Sequence, residues 1–98
     1  MHIKNKQLIK AKGRRLRKLR QFAELQISDL APIAGVASCT FQDWEYGKHS
    51  GVPIKKAERM LQTFWDKNIK CTLNWLMYNI GDEPEIISGI FRKTNEDL

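Results

Sequence analysis

Apolar residues recur along the chain at intervals of three and four positions, which is the spacing of one face of an α-helix. The alternation of apolar and polar residues that is typical of strands is nowhere sustained. The pattern predicts five helices over about residues 6–24, 27–34, 38–46, 54–67 and 73–79. Glycine and proline lie in several of the segments between these helices. We therefore expect an all-α fold formed by one domain.

The apolar positions within the predicted helices define a candidate core. The first helix has an apolar stripe of Leu16, Leu19 and Ala23. The fourth helix is expected to bury Ile54, Ala57, Leu61 and Phe64.

Three segments of different character divide the chain. Gly13 weakens the interior of the first helix, so residues 1–12 are expected to form a basic N-terminal arm or a helix extension. Residues 13–81 form the predicted domain, and residues 82–98 form a C-terminal extension that serves dimerisation or is disordered. In that extension the apolar residues are Ile86, Ile87, Ile90 and Phe91. If about residues 85–92 were helical, these side chains would share one face, which would either cap the core or form a homodimer, and we favour the homodimer.

The charge is distributed unevenly along the chain, whose net charge is +6. The first twenty residues contain nine basic and no acidic side chains, whereas residues 82–98 contain five acidic and two basic ones. Such a field favours a polyanionic partner. A merely solvating surface is the alternative. A membrane-surface helix is disfavoured, because the domain core needs the apolar face of Leu16 and Leu19.

The sequence carries no motif for catalysis, metal binding or membrane insertion. Cys39 and Cys71 lie far apart and form no CxxC pattern, so we expect no disulfide framework and a cytoplasmic location. His2 and His49 have no partners at metal-ligand spacing. No apolar run approaches the length of a membrane span, and no nucleophile–base motif is present. We expect no enzyme activity, no cofactor and no metal site.

The segment from Ile27 to Tyr46 fits two short helices joined by a tight turn. Ala31 is small, which allows the second helix to cross close to the first, and Gly35 suits the left-handed end of a helix. The apolar contacts between the two helices are expected from Leu30, Ala34, Val36, Phe41 and Trp44. Polar or small residues lie between these positions on the second helix, so part of its surface points outward. A short helix of this kind fits the major groove of DNA.

Three sequence elements occur in order along the chain: Leu30-Ala31-x3-Gly35-Val36, Trp44-Glu45-Tyr46-Gly47-Lys48 and Leu73-Asn74-Trp75-Leu76. With these elements the chain resembles the Cro- and phage-repressor-like (XRE) family of helix-turn-helix regulators, over roughly Gly13 to Gly81. The resemblance implies a compact five-helix, lambda-repressor-like domain. It also implies a sequence-specific regulator of transcription, most simply a repressor, that binds a palindromic double-stranded operator as a homodimer.

The resemblance further implies roles for individual residues. Base edges would be read by Ser38, Cys39, Gln42 and Asp43. Phosphates would be bound by Ile27, Ser28, Thr40, Lys48 and His49, the first two through amides at the start of a helix. Arg20 and Glu45 would form a structural ion pair, partly buried because Glu45 follows the core residue Trp44.

Some residues depart from the family pattern. Gln26 and Ala37 stand where Ser or Thr would often cap the two helices, so both helix starts are expected to be poorly capped. Pro32 lies inside the first of the two helices, where it removes an amide donor. Asp43 places negative charge on the expected reading face. It and the apolar C-terminal segment favour the alternative function, a protein-interaction module such as an antitoxin or an adaptor.

Overall fold

The computed structural model describes residues 2–87, which form five helices and a two-stranded sheet. The helices are α1 (His2–Phe22), α2 (Ile27–Ala34), α3 (Ser38–Tyr46), α4 (Ile54–Asp66) and α5 (Leu73–Tyr78), and the strands are β1 (Ile69–Lys70) and β2 (Glu85–Ile86). The prediction of a mostly helical fold is confirmed. The helix positions agree with the predicted ones, with the largest difference at the start of α1.

One apolar core joins the five helices. Its largest fully buried side chains are Leu16, Leu19, Leu30, Phe41, Val52, Met60, Phe64, Ile69 and Leu76. Burying a side chain of this size contributes about 1.5–3 kcal/mol, so these contacts dominate the stability of the fold. The prediction for Ile54 is wrong, because this residue at the start of α4 is 41% exposed, whereas Met60 of the same helix is fully buried.

The small sheet was not predicted from the sequence. Its strands pair antiparallel, with Ile69 opposite Ile86, and the amide of Ile87 donates to the carbonyl of Asn68 at 2.8 Å. A two-residue strand is too short to show alternation, so the pattern gave no signal for it. The hypothesis of a helix over residues 85–92 is wrong at Glu85–Ile86, where pairing with β1 fixes an extended backbone. Ile90 and Phe91 lie outside the described residues.

Gly13 lies inside α1, and the helix continues without interruption on both sides of it. The residue is buried, and a Cβ atom there would lie 2.6 Å from the carbonyl oxygen of Glu45 and closer still to that of Trp44. The absence of a side chain therefore allows α1 to pack directly on the backbone of α3. Close approach of two helices, and not a helix end, is the reason for glycine at this position.

An ion pair joins α1 to α3 beside this contact, in the register that the sequence predicts. Arg20 Nε donates to Glu45 Oε2 at 2.6 Å and Arg20 Nη2 donates to Glu45 Oε1 at 3.1 Å. The side chains are only 13% and 4% exposed, and Arg20 Nη1 also donates to the carbonyl of Leu25 at 3.1 Å. The hydrogen bond to Glu45 raises the pKa of Arg20. Such a bidentate, desolvated pair fixes the orientation of both helices.

Two basic residues of α1 also hold the fold together. Lys12 Nζ donates to the carbonyl of Val52 at 3.1 Å, in the loop before α4. Arg15 donates from Nε to the carbonyl of Leu76 at 2.9 Å and from Nη2 to that of Met77 at 3.1 Å, which satisfies acceptors in the last turn of α5. Burial lowers the pKa of both Lys12 and Arg15.

The first prediction concerns the ion pair. Arg20→Ala should lower the free energy of unfolding by about 3–5 kcal/mol, because it leaves Glu45 buried without its partner. Arg17→Ala removes the same charge from an exposed position of the same helix and should change stability by less than about 0.5 kcal/mol. Urea unfolding followed by circular dichroism measures both. Equal midpoints for the two variants would contradict the structural role of the pair.

The second prediction concerns Gly13. Alanine is the better helix former by about 1 kcal/mol, so Gly13→Ala would stabilise an isolated α1. In the folded protein the added methyl group overlaps the backbone of α3, and we expect a net loss of about 1–3 kcal/mol. Gln21→Ala, at an exposed position of the same helix, is the control and should be nearly neutral. A higher melting temperature for Gly13→Ala would refute the close contact.

Candidate nucleic-acid interface

The helix α3 has one face toward the core and one toward solvent. Its buried residues are Phe41, Trp44 and Glu45. Its exposed residues are Ser38, Cys39, Gln42 and Tyr46. Thr40 and Asp43 are half-buried at the border between the two faces. Three of the four residues expected to read bases are therefore freely accessible, and the fourth is partly so.

The turn before α3 sets its angle to α2. Gly35 ends α2 in the left-handed conformation at φ 77°, and the amide of Val36 donates to the carbonyl of Ala31 at 3.0 Å. This arrangement is typical of a glycine-terminated helix. Ala31 is buried, and the Phe41 and Trp44 rings pack with their centroids 5.5 Å apart. The small residue, the turn and the aromatic pair together support α3 from behind.

The exposed face of α3 and the start of α2 enclose a groove of about 480 Å³. It is lined by Arg20, Gln26, Ile27, Ser28, Ser38, Cys39 and Gln42. The structure thus brings two of the expected phosphate-binding residues, Ile27 and Ser28, next to three of the expected base-reading residues. Asp43 is not part of this groove.

The start of α2 is capped, which corrects the expectation from Gln26. The amide of Gln26 donates to the carboxylate of Asp29 at 2.8 Å, so the acceptor comes from three residues further along the helix. The negative charge of Asp29 therefore lies beside the first amides of α2. A phosphate at Ile27 and Ser28 would have to compete with this carboxylate. At α3 the expectation holds, because Ala37 offers no side-chain cap within the described residues.

Asp43 belongs to a second cluster, at the other end of α3. Its carboxylate lies 3.9 Å from Lys48 Nζ and 3.7 Å from His49 Nε2. Lys48 and His49 follow Gly47, which ends α3 at φ 76°. The neighbouring ammonium group partly balances the charge of Asp43, which reduces its repulsion of an approaching phosphate. The structure thus brings Asp43 close to Lys48 and His49.

Tyr46 was missed by the sequence analysis. It is 53% exposed and lies one turn beyond Gln42 on the solvent face of α3. Its hydroxyl group can donate and accept hydrogen bonds, so it extends the polar surface of the helix. The spacing of Ser38, Gln42 and Tyr46 by four residues was the available signal.

The two thiols differ in environment. Cys39 is exposed on α3, whereas Cys71 is buried and burial raises its pKa to about 11. No helix among residues 2–87 is long and apolar enough to cross a membrane, and no group of metal-ligating side chains was found in that part of the chain.

Comparison of the chain with protein-family models, with curated proteins and with solved structures gave no match. Function must therefore be inferred from the chain's own geometry. The two features that bear on it are a polar helix face supported from behind and a groove that joins this face to the start of the preceding helix.

Proposed function

We propose that the chain is a sequence-specific double-stranded DNA-binding regulator, most simply a repressor, of the XRE type that its sequence resembles. In this proposal α2 and α3 form the helix-turn-helix of a lambda-repressor-like domain, and α3 enters the major groove. The observation that carries the proposal is the exposed polar face of Ser38, Cys39 and Gln42 on a helix whose opposite face is buried in the core. A short helix that is rigid and exposed can place its side chains against base edges.

The residues divide into two roles. Gln42 has the amide group that pairs with adenine through two hydrogen bonds, and Ser38, Cys39 and Asp43 lie where they can contact neighbouring bases. The sugar–phosphate backbone is bound by Ile27, Ser28, Thr40, Lys48 and His49. Contacts with the phosphates set position and affinity, whereas contacts with base edges set sequence preference.

A homodimer on a palindromic operator completes the proposal. Two copies related by a twofold axis would present their α3 helices about 34 Å apart, one turn of the duplex. The dimer would occlude a promoter, and its place of action would be the cytoplasm. A twofold operator binds each copy through the same contacts, so dimerisation multiplies a modest single-site affinity.

A second candidate function is a protein-interaction module such as an antitoxin or an adaptor. The observation that favours it is an apolar groove of about 730 Å³ between α1 and α5, whose lining includes Leu8, Ile9, Met77 and Tyr78. A stable copurifying protein, together with DNA binding that is absent or insensitive to salt, would favour this candidate over the regulator.

The third prediction tests the reading face. Selection from a randomised duplex library at near-physiological salt should yield a preferred site for the wild-type protein. Gln42→Ala should alter the preference at one or two positions, with a loss of about 1–3 kcal/mol on the selected site. Lys48→Ala is the control: it should weaken all sequences about equally and reduce the salt slope by about 1. If Gln42→Ala left relative affinities across the library unchanged, the assignment of the reading face would be wrong.

The fourth prediction uses the thiol on α3. A bulky maleimide should modify Cys39 and spare Cys71 in the folded protein, because Cys71 is buried and has a raised pKa. Modification should weaken binding to the selected site by at least about tenfold, or about 1.4 kcal/mol, since the adduct occupies the groove beside Gln42. Cys39→Ser protein is the control, and its affinity should be the same before and after the same treatment. Unchanged binding by singly modified protein would place the interface elsewhere.

A further inference from the structure

The basic residues of α1 have different surroundings, although the sequence presents them as one run. Lys12 and Arg15 are bound to backbone carbonyls of the fold, and Arg20 is paired with Glu45. Arg14 and Lys18 line a groove on the α5 side, where Lys18 Nζ lies 3.4 Å from a carboxylate oxygen of Glu83. These residues are accounted for by contacts with the fold or by their position beside α5.

Among residues 6–22, the remaining cations belong to the side of α1 that faces α3. The helical repeat places Lys6, Lys10, Gly13, Arg17 and Arg20 in one row, at alternating intervals of four and three residues. Gly13 and Arg20 contact Glu45, as described above, which shows that this row is the one directed at α3. Lys6, Lys10 and Arg17 are exposed. They therefore lie at the solvent border of the contact between α1 and α3.

The position of Lys10 shows that this row lies next to the segment of Lys48 and His49, which is proposed to bind phosphates. A Cβ atom at Gly47 would lie 2.7 Å from Lys10 Cα, so α1 packs directly on the residue that ends α3 and precedes Lys48. None of the ion pairs formed within residues 6–87 involves Lys6, Lys10 or Arg17. Within the described side chains these three charges have no ion-pair partner, and Lys10 adjoins the end of α3.

We propose that Lys6, Lys10 and Arg17 form a phosphate-binding ridge along α1, which contacts the backbone of the duplex beside the groove that α3 enters. The inference rests on the proposed function. At a rise of about 1.5 Å per residue the ridge is about 16 Å long, close to five base-pair steps of about 3.4 Å. The ridge contacts no bases. It therefore extends the footprint and raises affinity for every sequence alike.

A pair of double variants tests the ridge. Lys10→Ala with Arg17→Ala removes one lysine and one arginine from the ridge, and Arg14→Ala with Lys18→Ala removes the same two residue types from the α5 side of the same helix. All four side chains are exposed, so both proteins should fold, which circular dichroism checks. The net charge changes equally, so long-range attraction to DNA is matched and the difference between the variants reports on contact alone.

Binding to the selected site is measured from about 50 to 200 mM salt, a range over which phosphate contacts dominate the change in affinity. The ridge variant should lose about 2 units of the slope of log K against log salt, since each phosphate contact contributes about 0.9. The α5-side variant should keep the wild-type slope. Library preferences should be the same for both. Phosphate ethylation of the site should interfere with binding of the wild-type protein at outer phosphates, and this interference should disappear for the ridge variant.

The outcomes separate this inference from the proposal on which it rests. Equal slopes for the two variants, with Gln42-dependent binding by the wild-type protein, would overturn the ridge and leave the reading face intact. A wild-type protein that binds no duplex would overturn both. If the ridge variant lost part of the slope of log K against log salt but the wild-type protein had no sequence preference, the result would support the ridge and contradict the reading face.

Discussion

The contact between α1 and α3 is the constraint on which the rest of the structure depends. The missing side chain of Gly13 allows the two backbones to touch, and the Arg20–Glu45 pair prevents rotation of one helix against the other. The angle of α3 determines which of its residues reach solvent. Because Phe41 and Trp44 occupy the inner face, the outer face is limited to a narrow row of small and polar side chains. The candidate interface is therefore a consequence of helix packing.

The same contact gives the basic residues of α1 their different roles. An isolated helix would expose all of them equally. Docking of α1 on α3 and α5 buries the stems of Lys12 and Arg15, and it turns one row of charges toward α3 and another toward α5. A net charge of +6 indicates attraction to a polyanion but not where it binds. The packing of α1 places cations that form no ion pair within the described part of the chain beside the candidate reading helix, where attraction and recognition can act on one ligand.

The sequence predicted much of this arrangement correctly. The helices α2 and α3 were predicted at their observed bounds because short-range spacing, a turn glycine and local apolar contacts determine them. The register of Arg20 and Glu45 also followed from the sequence. Helix propensity alone, however, does not explain Gly13. Glycine is needed at this position because α1 packs there on the backbone of α3, which is distant in sequence. The carboxylate of Asp29, which accepts from the amide of Gln26, was a further local signal, because it lies only three residues along the chain.

The sequence by itself determined the helical character, the turn and the accumulation of positive charge, because these depend on residue spacing and composition over a few turns. Only the tertiary structure decided that Asp43 lies with Lys48 and His49, that Tyr46 is exposed, and that Glu85–Ile86 pairs with β1. The pairing of Glu85–Ile86 with β1 joins segments that are separated in sequence, whereas the surroundings of Asp43 and Tyr46 depend on how α3 ends and on which of its faces the core covers. Their free energy comes from packing and ion pairing in three dimensions, which a linear pattern of apolar and polar residues does not encode.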